Sequence, residues 1–376
     1  MVSLPQVVGG ILGVGLVGYV LMRGGFDRTP VTVAHIGNSF QFVNDFPRTL
    51  QTISSDRIAF QDSCLHGSLG FYSLLKKGNG LVHRWNTSNA WNETLGLHDL
   101  GACTISQLLL GQDDYLSSYT YEEQYTIDGK NPCFHDIGND DDQNAYEWWD
   151  DSQEYLEYSL TAKTRSSWDF VVLNDQSMQP ARSNTQARNL KSLINSYLPM
   201  FLESGATPIF IVTHGYWRTD ISMSDYGLST VPIFTAKLYQ GYQSYVQELT
   251  DLMPYAQRPR LAPVGIAFLV IWEENPKFWP KLFGNDNFHP SPHGTYLMAC
   301  VVHATMFRYM PKASFNKNPS EVFERSRSMH LGNYSLPMVN EDEAHYLRWI
   351  AKRVALRNYR PASFLDALDA IKDEYD

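Results

Sequence analysis

The chain has 376 residues, 43% of them apolar and 19% charged, which excludes a disordered chain, a collagen and a polytopic membrane protein. Forty acidic residues against 30 Lys and Arg give a net charge of −10, which opposes non-specific binding of DNA or RNA because phosphates are repelled. Aromatic residues make up 13%, enough for a large core, a sugar-stacking surface or both, and four cysteines are too few for a disulfide-framework miniprotein.

The first element is an uncharged run from Val7 to Met22 followed by Arg23. It is short for a bilayer span, which needs about 20 residues. It fits a signal anchor or a signal peptide over residues 1–27, and the lack of a small-x-small cleavage site favours the anchor over a cleaved signal or a buried helix. Gly13, Gly15 and Gly18 spell G-x-G-x-x-G, but Pro5 occupies the place of the strand a dinucleotide site requires. No acidic residue lies where the ribose-binding carboxylate belongs, so no nucleotide cofactor is expected. Asn86, Asn92 and Asn333 head N-x-S/T triplets and are candidate glycosylation sites. Together with the apolar N-terminus they point to the secretory pathway or the cell exterior, with the body of the chain luminal. In that oxidising setting Cys64, Cys103, Cys133 and Cys300 have three possible pairings, and their spacing is not that of a zinc site.

The body begins with a strand from Val31 to Ile36 that ends at Gly37-Asn38-Ser39, and a helix starts near Asp45. A second strand is expected over Arg57 to Gln61, then a polar turn from Asp62 to Ser68 and a helix from Leu69 to Lys77. A third runs from Trp168 to Leu173 and ends at Asn174-Asp175-Gln176-Ser177, with a helix from Thr185 to Ser204. A fourth covers Thr207 to Thr213 with a helix from Thr235 to Leu252, and a fifth covers Arg260 to Val264. Short apolar runs alternating with amphipathic stretches define a parallel sheet covered on both faces. Ligands of such sheets sit beyond the carboxyl ends of the strands, where Ser39, Gly67 and Asn174 fall.

Between the second and third strands, residues 78–165 form an insertion. From Asp113 to Glu157 it carries fourteen acids and the single base Lys130, with nine aromatic residues from Tyr115 to Tyr155. It is either a solvated insertion with its own small cluster or a rim whose rings stack on a sugar. Near the C-terminus, Glu341 to Asn358 places Ala344, Leu347, Ile350, Ala351, Val354 and Leu356 on one helical face, the packing face of an extension over 313–376.

Four blocks bear chemistry: Gly37-Asn38-Ser39-Phe40, Gly67 in its turn, Asn174-Asp175-Gln176-Ser177, and Asp286-Asn287-Phe288-His289-Pro290. A serine hydroxyl needs a base within hydrogen-bond reach, and His289 can serve. Asp286, three residues earlier, can orient the imidazole. His293 beside His289 and Asp286 raises a metal reading, but no third ligand is indicated, so no metal is expected. His35 is read as structural. The order of the four blocks resembles the SGNH hydrolase superfamily, or GDSL-type esterases, with G-N-S in place of G-D-S. The strings Trp168 to Ser177 and Ala262 to Gly265 look most like a little-characterised G-N-S-F subgroup. The resemblance implies a three-layer α/β/α sandwich with a roughly five-stranded parallel sheet over about 28–312, and no cofactor. It implies Ser39 as nucleophile, His289 as base and Asp286 as its orienting acid. The oxyanion donors would be the N–H groups of Ser39 and Gly67 and the amide of Asn174. The expected activity is hydrolysis of carboxylic esters through an acyl-serine; the luminal location and the aromatic-rich insertion suggest O-acetyl groups on glycans as substrate, with a lipid or small acyl ester as the alternative. O-acyl transfer to a glycan with the same triad, and an inactive glycan-binding relic of the fold, are the alternatives.

Overall fold

The computed structural model describes residues 29–54, 57–77, 104–111, 167–217, 226–311 and 336–373. The N-terminal apolar run, the three glycosylation candidates, Cys103, Cys133 and the acidic aromatic stretch lie outside the described residues.

The first strand, β1 (Val31–Gly37), is followed by a one-turn helix, α1 (Ser39–Phe42), and by α2 (Phe46–Ser54). Next come β2 (Ile58–Leu65), α3 (Phe71–Lys77) and α4 (Ile105–Leu110). After β3 (Phe170–Leu173), α5 (Ser183–Ser192) passes through a π turn over 193–197 into α6 (Leu198–Ser204). Then follow β4 (Thr207–Ile211), α7 (Val231–Leu252), β5 (Arg260–Ala262), α8 (Val264–Glu274) and α9 (Pro292–Phe307). The chain closes with α10 (Glu341–Leu356) and α11 (Ala362–Asp373).

All five strands are parallel, in the order β2-β1-β3-β4-β5. Because side chains alternate across a strand, Val33, Val172, Ile209 and Ile211 enter one core, while Ala34, Ile36, Val171, Leu173 and Phe210 enter the other. Helices α2, α8 and α9 cover the first face, and α3, α4 and α6 belong to the second. Helix α7 serves both, with Val231 and Ala236 on the first side and Tyr242, Tyr245 and Leu249 on the second. This is the expected three-layer sandwich. The strand order reverses between β1 and β3, so a crevice opens above their carboxyl ends.

Several boundaries differ from those read in the sequence. Strand β2 continues to Leu65, because Asp62, Ser63 and Cys64 pair with Ala34, His35 and Ile36 and are buried; their polarity had marked them as turn. Helix α7 starts four residues earlier than expected, at Val231, where the Thr230 hydroxyl accepts from Ile233 N–H and Pro232 sits in the first turn. Helix α8 was not foreseen: Val264 to Ile271 is buried on every side, so the run lacks the one-sided stripe that marks a surface helix. Helices α10 and α11 add Ala344, Leu347, Ile350, Ala351, Val354, Phe364, Ala367 and Ile371 to the first core, with α10 laid over α9 and α11 against α7. Within the insertion, α4 buries Leu108 and Leu109 in the second core, and its Leu108 carbonyl accepts from the Trp168 indole at 2.8 Å. Cys64 and Cys300 are buried in opposite cores, so they do not pair with each other. No described helix is long and apolar enough to cross a membrane.

Candidate active site

The sheet register sets the positions of the predicted site residues. Gly37 pairs with Leu65, and His66 N–H continues the ladder to Gly37 O at 3.0 Å. Ile36 pairs with Leu173, and Asn174 N–H donates to Ile36 O at 3.1 Å. Ser39, Gly67 and Asn174 therefore lie at the carboxyl ends of the adjacent strands β1, β2 and β3. Ser39 opens α1 and is partly buried, and its hydroxyl makes no hydrogen bond to another described residue. The first N–H groups of a helix lack intrahelical acceptors. Neither Ser39 N–H nor Gly67 N–H is bonded among the described residues, so both are available as donors.

Asn174 has a different setting from the one expected of an oxyanion donor. Its side-chain amide donates to Asn38 Oδ1 and to Asp175 O, both at 2.9 Å, and its own oxygen accepts from Gln41 Nε2 at 2.8 Å. Asn38 in turn donates to Leu69 O and Asp175 O at 3.0 Å and caps Phe40 N–H. Asn174 thus fixes Asn38, the residue before the serine, across the β1–β3 gap. The close approach requires Gly37, where an added Cβ would stand 2.1 Å from Asn174 Oδ1.

Asp175 ties this tip to its surroundings. It is fully buried and accepts from Phe71 N–H, Gln176 N–H, Asn189 Nδ2 and the Tyr245 hydroxyl at 2.7 to 3.2 Å. Burial pushes its carboxyl up to about 6 against the pull of those four donors. Gln176 folds back, its side-chain oxygen accepting from Met178 N–H, and the Ser177 hydroxyl pairs with Tyr216 at 2.6 Å.

The fourth block is a tight loop between α8 and α9. Asp286 Oδ1 accepts from the N–H groups of Phe288 and His289 at 3.1 and 2.9 Å, which the left-handed Asn287 (φ 66°) permits. Its other oxygen, Oδ2, lies 2.6 Å from His289 Nδ1. Burial raises the Asp286 carboxyl, but the imidazole and the two backbone donors outweigh burial and leave it below its ordinary value. Facing a carboxylate, Nδ1 carries the proton, so Nε2 presents a bare lone pair. That Nε2 is buried and has no partner among the described residues. The ring packs edge-on to Phe40, the residue after Ser39, at 5.8 Å. The loop is pinned at several points: Gly284 N–H to His289 O, Trp217 N–H to Asn287 O, and Asn44 Nδ2 to Pro290 O at 2.7 Å. Asn44 lies between α1 and α2, so it ties the serine's own connection to the histidine loop.

Two other histidines read in the sequence have structural settings. His35 is buried between Gln41 and Gln61 at 3.0 and 3.1 Å, and burial lowers it to about 4. His293 does not share a site with His289; its Nε2 faces Glu343 of α10 at 2.9 Å. No group of three potential metal ligands occurs among the described residues.

His214 escaped the sequence reading. It stands three residues past β4, stacks on Phe268 at 4.2 Å and meets Phe40 edge-on at 4.9 Å, so it and His289 flank the same ring. Burial lowers it to about 4, its Nδ1 faces Gly215 O, and its Nε2 has no partner among the described residues. Its signal was positional: Thr213-His214-Gly215 ends β4 as Asn174 ends β3.

No family model and no curated protein matches the chain. Among solved structures it is similar to a "putative SGNH hydrolase" from Slackia heliotrinireducens, at 16% identity and TM-score 0.41 over 74% of this chain and 99% of that one. It is also similar to a DUF4886 family protein from Bacteroides uniformis, at 13% identity and TM-score 0.47 over 90% of this chain and 99% of that one. At these scores neither neighbour assigns an activity to this chain.

Proposed function

We propose that the chain is a serine ester hydrolase of the SGNH type, acting through an acyl-serine intermediate. The observation that carries this reading is the Asp286–His289 pair at 2.6 Å, whose bare, buried Nε2 lies beside the helix opened by Ser39. In the proposed reaction His289 Nε2 takes the proton of the Ser39 hydroxyl as its oxygen attacks the ester carbonyl. The imidazolium is stabilised by Asp286 and then protonates the leaving alcohol. The negative charge on the carbonyl oxygen is met by the N–H groups of Ser39 and Gly67, each such donor contributing about 3 kcal/mol of barrier lowering. Asn174 supports the site in its observed state by holding Asn38. Water, deprotonated by the same imidazole, releases the acyl group and restores the serine.

The substrate class we propose is a small acyl ester, with O-acetyl groups on glycans the finer assignment. That assignment rests on the aromatic, acidic insertion and on the luminal placement implied by the N-terminal run. Turnover of p-nitrophenyl acetate by the wild type and by Ser39→Ala tests the reaction class. Acetate release from an acetylated glycan, with and without an added acceptor sugar, tests the substrate and separates hydrolysis from transfer. Equal turnover by the two proteins refutes the reaction class. Products that carry the acetyl group on the acceptor refute hydrolysis.

A further inference from the structure

The loop bearing Asp286 and His289 has a narrow neck. Phe283 bridges Pro290, Ser291 N–H donates to Leu282 O at 2.9 Å, and the Ser291 hydroxyl donates to Lys281 O. One carboxylate from the C-terminal extension grips both sides of this neck. Glu343 Oε1 binds Lys281 Nζ at 2.7 Å, before the loop, and Oε2 binds His293 Nε2 at 2.9 Å, after it. The same Oε2 accepts from Asn340 N–H at 3.1 Å, while Asn340 Oδ1 accepts from Glu343 N–H at 2.9 Å, a capping box that fixes the carboxylate on α10. The two arms differ in weight. Lys281 is 46% exposed, so its pairing is screened by water, whereas His293 is 1% and Glu343 13% exposed. Opposite a carboxylate, His293 Nε2 carries the proton, and Glu343 is its hydrogen-bond partner among the described residues.

We propose that Glu343 is a positioning residue for the reaction, clasping the neck of the 284–290 loop so that His289 keeps its place beside Ser39. The inference rests on the reading of Ser39, His289 and Asp286 as the triad. It gives α10 a function beyond packing: the extension completes the support of the catalytic base. Misplacement of a catalytic group by a fraction of an ångström to an ångström affects the rate while leaving ester binding unchanged.

The test uses the full chain and p-nitrophenyl acetate, with active sites counted by labelling to completion with a fluorophosphonate. Glu343→Met keeps the stem and removes both acceptor oxygens. Its kcat per labelled site is expected to fall about tenfold with KM unchanged, a loss in the range that loosened positioning produces. Glu343→Gln, which restores an acceptor for His293, should recover most of that loss. Glu341→Ala, on the exposed side of the same first turn, should match the wild type. If Glu343→Met does not fold, Glu343→Ala is measured in the same way. A kcat per labelled site equal to wild type, with only the melting temperature lowered, overturns the proposal, as does a Gln variant no better than Met. Wild-type protein without Ser39-dependent turnover overturns the triad and this inference with it. Normal wild-type turnover with an unaffected Met variant overturns the inference alone.

Discussion

Asp286→Asn offers the sharpest perturbation of the proposed base, because the structure determines which way the new amide must lie. One oxygen, Oδ1, accepts two backbone N–H groups at 2.9 and 3.1 Å, and an NH2 group in that place would face two donors. The amide oxygen therefore stays there, and the nitrogen takes the position of Oδ2, 2.6 Å from His289 Nδ1. A donor now meets Nδ1, so the imidazole moves its proton to Nε2, the atom that must accept from Ser39. Fold and loop geometry persist while the base is lost. Serine triads altered in this way lose about 10⁴ in kcat, which corresponds to about 5 kcal/mol of barrier. Steady-state turnover of p-nitrophenyl acetate by wild type and variant, with circular dichroism and melting temperature confirming the fold, measures the effect. A variant within tenfold of wild type refutes the assignment of Asp286 and His289 as the working pair.

Other consequences follow from the neighbouring contacts. Gly37→Ala drives a methyl to 2.1 Å from Asn174 Oδ1 and 2.8 Å from Gln41 Nε2, and should destabilise the fold by about 1–3 kcal/mol; an unchanged denaturation midpoint contradicts the packing described. Asn44→Gly keeps the left-handed backbone (φ 57°) and removes the bond to Pro290 O, so kcat should drop several-fold, by about 1 kcal/mol of barrier, in initial-rate assays. Asp175, raised from 3.8 to about 6 by burial, binds a proton more readily folded than unfolded, so its stabilising contribution is full below pH 4 and is lost as pH rises to 6. Relative to Asp175→Asn, the wild type should lose about 2 kcal/mol of unfolding free energy between pH 4 and pH 7. The opposite effect of His35 and His214, whose lowered values remove stability as pH falls from 6.5 towards 4, is common to both proteins and cancels. Denaturation curves that stay parallel at both pH values refute the buried carboxylate.

The sheet was legible because each strand is a short apolar run ended by a polar or glycine turn, and the three candidate turns do fall on one edge. The apolar face of α10 was legible for the same kind of reason: Ala344, Leu347, Ile350, Ala351 and Val354 recur at helical spacing and all are buried. Helix α8 was not, because complete burial erases periodicity. The polar end of β2 was not, because the buried Asp62 and Ser63 imitate a turn. Asp286 and His289 are three residues apart, so their contact could be inferred from spacing alone. The partners of Asn174 are Gln41 and Asn38, more than 130 positions away. Only the β1–β3 pairing brings them together, and it turns an expected oxyanion donor into a brace for the serine turn. His214 and Glu343 reach the site region from other elements in the same way: the place of His214 past a strand end and the capping box of Glu343 are local signals, but neither tells which distant residues they meet.

The central claim is that Ser39 forms a covalent bond to an acyl group or its mimic. Intact-mass measurement after exposure to a fluorophosphonate, followed by peptide mapping, tests it most directly. One adduct on the peptide containing Ser39 in the wild type, with none in Ser39→Ala and p-nitrophenyl acetate turnover lost in parallel, is the result the proposed mechanism predicts. An adduct that persists in Ser39→Ala, or turnover that survives the substitution, contradicts it.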